Sequence, residues 1–300
     1  MSPVIMNRTV DNLTLPTLMK SPQKKVVKDV MRDYTIWNHV KPRATDIIIA
    51  SCYKCGTTLM QQIINLLVNG DDDFESIHQI SPWVELRFKP AETKTGLIES
   101  LPSPRILKTH LEFDALPYYQ DWKYIYLVRD GRDVGVSLYN HCQAHLNGAY
   151  HPSITFDNGS DDFSKFWDTW VETGKPRWPF WEHINSWWQV RDLPNIIFVH
   201  YANLIHKKRE EITKIAEFLN QEIDHNQLEM ITRRSSFQYM KENWPKFEPP
   251  GVFKPQRFIY QGTNQRWRSL LTPEQLQRYE TIIHQKLEPN CAHWVKTGEF

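Results

Sequence analysis

Cysteine is scarce in this chain. Four thiols among 300 residues do not make a disulfide framework. Free thiols in a reducing compartment are the reading that follows, and the expected location is the cytoplasm. Long apolar runs are missing too. None approaches the roughly 20 residues that a membrane span needs, so no membrane is expected as a partner. The opening stretch, MSPVIMNRTVDNLTLP, has neither an apolar h-region nor a small-residue cleavage site, so no secretory signal is expected. Net charge is nearly absent, since 36 Lys+Arg against 35 Asp+Glu leave +1. A nucleic-acid binder usually carries a marked basic excess; nucleic acid is therefore not an expected partner, although a local basic pocket is still possible. Internal repeats and low-complexity tracts are also lacking.

Aromatic residues, by contrast, are plentiful. Twelve tryptophans and a mean hydropathy of −0.56 describe a soluble protein with broad aromatic packing. The length suffices for one large α/β domain or two small ones. No linker separates two cores, so a single domain over 1–300 is expected, with 1–40 as a helix-containing lead-in.

The stretch DIIIASCYKCGTTLMQQIINLL, residues 46–67, opens as a buried strand and closes as an amphipathic helix. Cys52-Tyr53-Lys54-Cys55-Gly56-Thr57-Thr58 lies at the turn between them. Three readings compete. The first turn of a helix leaves N–H groups unpaired and favours an anion; Gly56 would let the backbone approach, with Lys54, Thr57 and Thr58 adding charge and donors. Cys52-x-x-Cys55 also has the layout of a redox site. The third reading is structural, with Thr57 capping the helix and Gly56 turning the chain. The redox reading weakens because no second strand–helix half surrounds the motif, and Cys142 and Cys291 are remote. A zinc site would need two more ligands, and His141-Cys142 has no suitable spacing. No metal is expected.

Further short strands read at 105–111, 123–129 and 195–201, with helical patterns near 131–145, 179–191 and 204–219. This alternation predicts an α/β fold, three-layer α/β/α with a central, mainly parallel sheet. HPSITFDNGSDDFSK, 151–165, reads as a loop and a possible lid. The proline-rich 241–268 reads as an irregular segment of the functional kind.

A nucleotide-hydrolysing P-loop requires G-x-x-x-x-G-K-[ST]. Here the lysine precedes the glycine and the first glycine is absent. Asp130 follows the apolar run YIYLV like a metal-binding carboxylate. Asp130 and Asp133 could equally be acidic residues of a helix's first turn. Arg129 and Ser137 belong to this second strand-to-helix junction.

Taken together, these residues resemble the cytosolic sulfotransferases. That family binds the 5′-phosphosulfate of PAPS (3′-phosphoadenosine 5′-phosphosulfate) with Y-P-K-[SC]-G-T-T-W, and this chain is similar from Cys52 through Tyr53, Lys54, Cys55, Gly56, Thr57 and Thr58 to Leu59. The family's 3′-phosphate signature, R-[ND]-x-[RK]-D-V-x-V-S, is matched by Arg129 to Ser137. Its catalytic K-T-H stands as Lys108-Thr109-His110. The resemblance also implies nucleotide contacts from Tyr201, Ser236 and Phe237, and covers about 35 to 285. Tyr53 replaces a proline, which makes the turn less rigid. Leu59 replaces the tryptophan that stacks on adenine. Tyr260-Gln261-Gly262 replaces R-K-G and loses two positive charges, with Arg257, Arg266 and Arg268 close enough in sequence to stand in.

The resemblance implies a P-loop-like phosphosulfate-binding loop, PAPS as cofactor, PAP as product and no metal requirement. It implies transfer of a sulfonate to a hydroxyl or amine, with His110 as general base and Lys54 and Lys108 stabilising the transferring group and the leaving phosphate. An imidazole pKa near 6.5 would suit that role. The acceptor is expected to be a small molecule lying among 76–90, 141–180 and 240–258. Most of Trp167, Trp170, Trp178 and Trp181 are expected in the core, whereas His141, His145, Asp157 and Glu172 could meet a polar acceptor. A P-loop-type kinase or NTPase, and a PAP-binding scaffold that has lost catalysis, are the alternatives. The family's short C-terminal dimer motif has no convincing copy, and the oligomeric state is not readable.

Overall fold

The computed structural model describes residues 18–20, 25–88, 90–146 and 160–300. Asp157, most of the 151–165 loop and part of the 1–40 lead-in lie outside the described residues. The strands are β1 (Leu18–Lys20), β2 (Ile47–Ser51), β3 (Ile106–Thr109), β4 (Tyr118–Tyr119), β5 (Lys123–Val128) and β6 (Ile196–His200). The helices are α1 (Thr57–Asn69), α2 (Ile77–Ile80), α3 (Ala91–Ser100), α4 (Gly131–Ala144), α5 (Phe163–Thr173), α6 (Phe180–Trp188), α7 (Tyr201–His206), α8 (Lys208–Phe218), α9 (His225–Arg234), α10 (Phe237–Glu242), α11 (Pro273–Lys286) and α12 (Pro289–Thr297).

Four strands form the central sheet in the order β3-β2-β5-β6, all parallel. Ile48 of β2 sits opposite Leu107 and Tyr124. Every residue of β2 is buried, as expected of a strand covered on both faces in a three-layer α/β/α arrangement. From β2 the chain steps to β3 on one side. It then returns to β5 on the other. The connections therefore diverge at the carboxyl ends of β2 and β5 and open a crevice there. The loop leading to α1 and the loop leading to α4 form its two lips. Beside β3 the 82–84 segment adds a short parallel rung, with Lys108 N–H donating to Pro82 O and Val84 N–H to Lys108 O, both at 3.0 Å.

The aromatic richness is spent in the core. Trp122, Trp167, Trp170, Trp181, Trp187, Trp188 and Trp294 are fully buried. Tyr126 on β5 stacks on Trp187 with centroids 4.8 Å apart. At Gly135 a Cβ would come within 2.7 Å of Trp167, so glycine lets the indoles of α5 close directly onto α4.

Two expectations need revision. The 204–219 pattern is not one helix. Lys207 leaves the helical region at φ −125 and ψ 40, splitting it into α7 and α8. The 151–165 stretch is not all loop, because Asp162 accepts from Ser164 and Lys165 N–H groups and starts α5 at Phe163.

Candidate active site

The loop after β2 is shaped by two left-handed residues, Lys54 at φ 59 and Gly56 at φ 98. A Cβ on Gly56 would lie 2.5 Å from Tyr201 Cδ2, so the Tyr201 ring seals one side of the loop against its bare backbone. Gly56 caps α1 without a side chain, and no cap hydroxyl takes up the first-turn N–H groups. Thr57 Oγ1 shares a 2.7 Å hydrogen bond with Ser51 Oγ. Tyr53, where a less rigid turn was expected, supplies its own anchor. Its hydroxyl donates toward Gly174 O at 3.1 Å and Trp178 O at 3.2 Å, and accepts from Trp170 Nε1 at 2.9 Å.

Cys55 is buried, its thiol pushed up to about 12 by burial, and its Sγ donates to Tyr53 O. Burial likewise raises Cys52. Neither thiol has the lowered pKa of a redox centre. Among the described residues no cluster of three His, Cys, Asp or Glu could hold a metal ion.

At the second lip, Asp130 caps α4 through the Arg132 N–H and pairs with the Arg132 guanidinium at 2.7 Å. Both of its candidate roles therefore resolve to capping and pairing. Arg129 ties the lip to the 262–268 segment. Its Nε and Nη2 donate to Asn264 Oδ1 at 3.1 and 2.9 Å, and Nη2 also donates to Thr263 O at 3.0 Å. Its guanidinium stands 4.4 Å from the Tyr201 ring centroid. Asp133, raised by burial, receives backbone N–H groups from Gln265 and Arg266 and closes the same clasp.

β3 ends by delivering Lys108 and His110 to the crevice. His110 Nδ1 lies 2.8 Å from Ser51 O. A carbonyl only accepts, so Nδ1 carries the proton and Nε2 is left with its lone pair. The His110 backbone N–H donates to Glu85 Oε1 at 2.6 Å. Glu85 is fully buried and also takes the Trp37 indole N–H at 3.2 Å and that of Trp83. Its segment was expected among the acceptor-lining residues 76–90, but Glu85 itself was not singled out there. Burial first, and Lys108 second, push the His110 imidazole well below its usual range. The ordinary value of 6.5 expected from the sequence does not hold.

Burial, reinforced by Arg129, brings Lys54 down to about 7, and its ammonium lies 3.1 Å from His141 Nδ1. Burial lowers Lys108 to about 8, with Glu85 opposing.

The crevice widens into a cavity of about 850 Å³. Lys54, Gly56, Thr57, Thr58, Leu59, Lys108, His110, Arg129, Ser137, Tyr201, Phe237, Arg257, Gln261, Gly262 and Arg266 all line it. Phe237 packs against Gly262, whose φ of 66 and missing Cβ admit the ring. Three expected residues are not on the wall. Cys55 sits behind the loop. Ser236 Oγ is engaged by Tyr239 N–H at 3.2 Å as the cap of α10, and Ser235 lines the cavity instead. Arg268 packs over Trp267 at 5.2 Å.

On the acceptor side His78, Trp83, His141, Trp178, Phe253 and Phe258 come together. Glu172 does not join them, because it pairs with Arg278 on the surface. His145 lies under Phe253 at 4.6 Å rather than on the wall. Sequence reading missed Lys208, whose Nζ donates to Ser235 O at 2.6 Å and which burial lowers to about 8. It also missed Thr93, Lys94 and Leu97 of α3 and Arg177. None of these carries a local motif.

A parallel three-layer α/β/α fold, with a lysine–glycine–threonine loop facing an arginine and a neutral histidine, is the arrangement of a group-transfer enzyme for anionic donors. The chain belongs to the sulfotransferase family: the family model for the Sulfotransferase domain matches residues 44–290. Human sulfotransferase 1C2 is 28% identical over 284 residues, which are 88% of this chain and 92% of that protein. Mouse sulfotransferase 1 family member D1 is 30% identical over 268 residues, 84% of this chain and 88% of its own. Among solved structures, mouse sulfotransferase SULT7A1 complexed with PAP has a TM-score of 0.73 at 20% identity, covering 91% of this chain and 97% of that one. Retinol dehydratase in complex with retinol and PAP has a TM-score of 0.69 at 22% identity, with coverage of 85% and 84%.

Proposed function

We propose that the chain transfers a sulfonate group from PAPS to a hydroxyl, or an amine, of a small-molecule acceptor. The observation that carries this is the 2.8 Å approach of His110 Nδ1 to Ser51 O, from which the tautomer of His110 follows. Its Nε2 keeps a lone pair in a cavity that Lys108 also lines, with Lys54 on one lip and Arg129 on the other. The loop also fits an anionic nucleotide. Gly56 has no room for a Cβ against the Tyr201 ring, so the loop backbone stays bare, and Lys54, Thr57 and Thr58 line the cavity at the first turn of α1. Two structural neighbours are solved in complex with PAP, one of them with retinol as well.

In this reading Lys54, Gly56, Thr57 and Thr58 hold the 5′ end, with Leu59 against the base. Arg129, Ser137, Arg257 and Arg266 hold the 3′-phosphate. Tyr201, Phe237, Gln261 and Gly262 flank the nucleotide, and 241–268 covers it. Bound there, PAPS supplies an activated sulfonate, whose bond to the phosphate oxygen breaks as the acceptor oxygen bonds to sulfur. His110 Nε2 takes the acceptor's proton, and Ser51 O stabilises the imidazolium through Nδ1–H. Lys54 and Lys108 offset the negative charge that develops opposite them.

The test is titration calorimetry with PAP and, separately, with ATP and Mg²⁺. Micromolar PAP binding without metal and weak ATP binding are expected. The reverse order of affinities would assign the site to a nucleoside triphosphate. His110→Ala should keep PAP binding and lose about 100-fold or more in turnover.

A further inference from the structure

Lys208 lines the cavity at a place where a cation is costly. It is the first residue of α8, where the helix dipole disfavours positive charge. It is half-buried as well, and that burial lowers its ammonium to about 8. Glu211, one turn further along α8, does not offset it, because Glu211 pairs with Lys214 at 2.9 Å. An ammonium has three donors and no acceptor. Among the described residues Lys208 uses one of them, on Ser235 O at 2.6 Å. A residue held against local preference on a cavity wall points to a ligand.

The elements around Lys208 show which part of the ligand that is. Tyr201 and Ile205, one turn apart on α7, continue into Lys208 along one wall. Both phosphate-type lips meet at the Tyr201 end, since Gly56 lies against the Tyr201 ring and Arg129 stands 4.4 Å from its centroid. Lys208 comes seven residues later, roughly 10 Å along the wall by helix rise. There it holds the corner at Ser235, which α1 holds from another side. Gln62 Nε2 donates to Arg234 O at 3.3 Å, one turn beyond Thr58 and Leu59 of the cavity wall. From the same corner the Phe237 ring reaches Gly262. With the 5′ end on the Gly56 loop and the base against Leu59, this corner belongs to the base.

Leu59 gives a base apolar contact without direction. A hydrogen bond supplies the direction. The adenine ring nitrogens accept, whereas the exocyclic amine donates. A group that only donates therefore selects a ring nitrogen.

We propose that Lys208 is a nucleotide-binding residue that donates to a ring nitrogen of the purine and so orients the base. This rests on the sulfonate-transfer reading and adds a base-recognition contact to it.

The test is calorimetry of the full chain and of Lys208→Met with PAP and with its 1-deaza, 3-deaza and 7-deaza analogues, each of which turns one ring nitrogen into C–H. One analogue should bind the wild type about 10-fold or more weakly than PAP does. Lys208→Met should lose a similar factor for PAP and should bind PAP and that analogue equally. A lysine with a structural role alone would weaken all four ligands alike and leave the analogue's penalty in place, which overturns the proposal. A wild type that tolerates all three analogues overturns it too. So does a Lys208→Met that loses affinity for PAP but not for adenosine 5′-monophosphate, because Lys208 would then serve the 3′-phosphate. Failure of the sulfotransferase reading shows separately, as a wild type that binds ATP with Mg²⁺ and not PAP, and it removes this proposal as well.

Discussion

At the residue scale, two buried groups set the expected pH behaviour. An ordinary imidazole is half protonated near pH 6.5. His110 is pushed well below that by burial and by Lys108, so it stays a base as the medium turns mildly acidic. Turnover should hold its plateau through pH 6; an acid limb at 6.5 would contradict this. Lys54 runs the other way. Its free value is about 7, and a bound anion raises it. Binding PAP above pH 7 must therefore take up a proton, and affinity should fall by up to about tenfold per pH unit there. Calorimetry in buffers of different ionisation enthalpy reads that proton directly. The arginines divide by position. Arg257→Ala and Arg266→Ala, both on the wall, should each weaken PAP binding by about 1.5–3 kcal/mol. Arg268→Ala, stacked on Trp267, should leave it unchanged.

At the scale of elements, the loop after β2 is held by contacts remote in sequence. Tyr53→Phe leaves the Trp170 indole N–H and two carbonyls without their hydroxyl partner. Urea unfolding should show a loss of about 1–3 kcal/mol, and PAP should bind more weakly. Gly56→Ala combines a φ of 98 with a collision against Tyr201, and should abolish PAP binding. The four strands of the central sheet were legible because apolar β-branched runs bounded by turns report burial directly, as Ile47–Ile49 do; the short β1 and β4 carry no such run and were not. That both strand-to-helix junctions belong to one site was legible because their residues are consecutive in sequence, and both line the cavity. Glu85, Arg177 and Lys208 were not, since each acts through a partner fixed only by the tertiary structure. Ser236 is off the wall for a local reason: its hydroxyl caps α10 by accepting the Tyr239 backbone N–H, while Ser235 lines the cavity. His110 was legible as a candidate residue but its lowered pKa was not, because its burial depends on tertiary neighbours such as Trp83 and Trp178.

At the scale of the whole molecule, stability and chemistry sit at opposite ends of the sheet. Arg105 and Asp46, at the amino ends of β3 and β2, form a fully buried pair at 2.6 Å, with Arg105 Nη2 also donating to Lys41 O. Arg105→Ala strands the Asp46 carboxylate. It should cost about 3–5 kcal/mol in unfolding while PAP affinity in the folded fraction stays unchanged. The indoles divide in the same way. Most of the core set lie fully enclosed, but Trp83 and Trp178 line the cavity next to His110, in ring contact with it and 6.3 Å from each other. The protein thus carries its own optical probe. An acceptor entering beside His110 displaces water from those two rings and must alter the emission at tryptophan wavelengths, against a constant background from the enclosed indoles. Occupancy of the acceptor side can be followed without label, turnover or cofactor analogue.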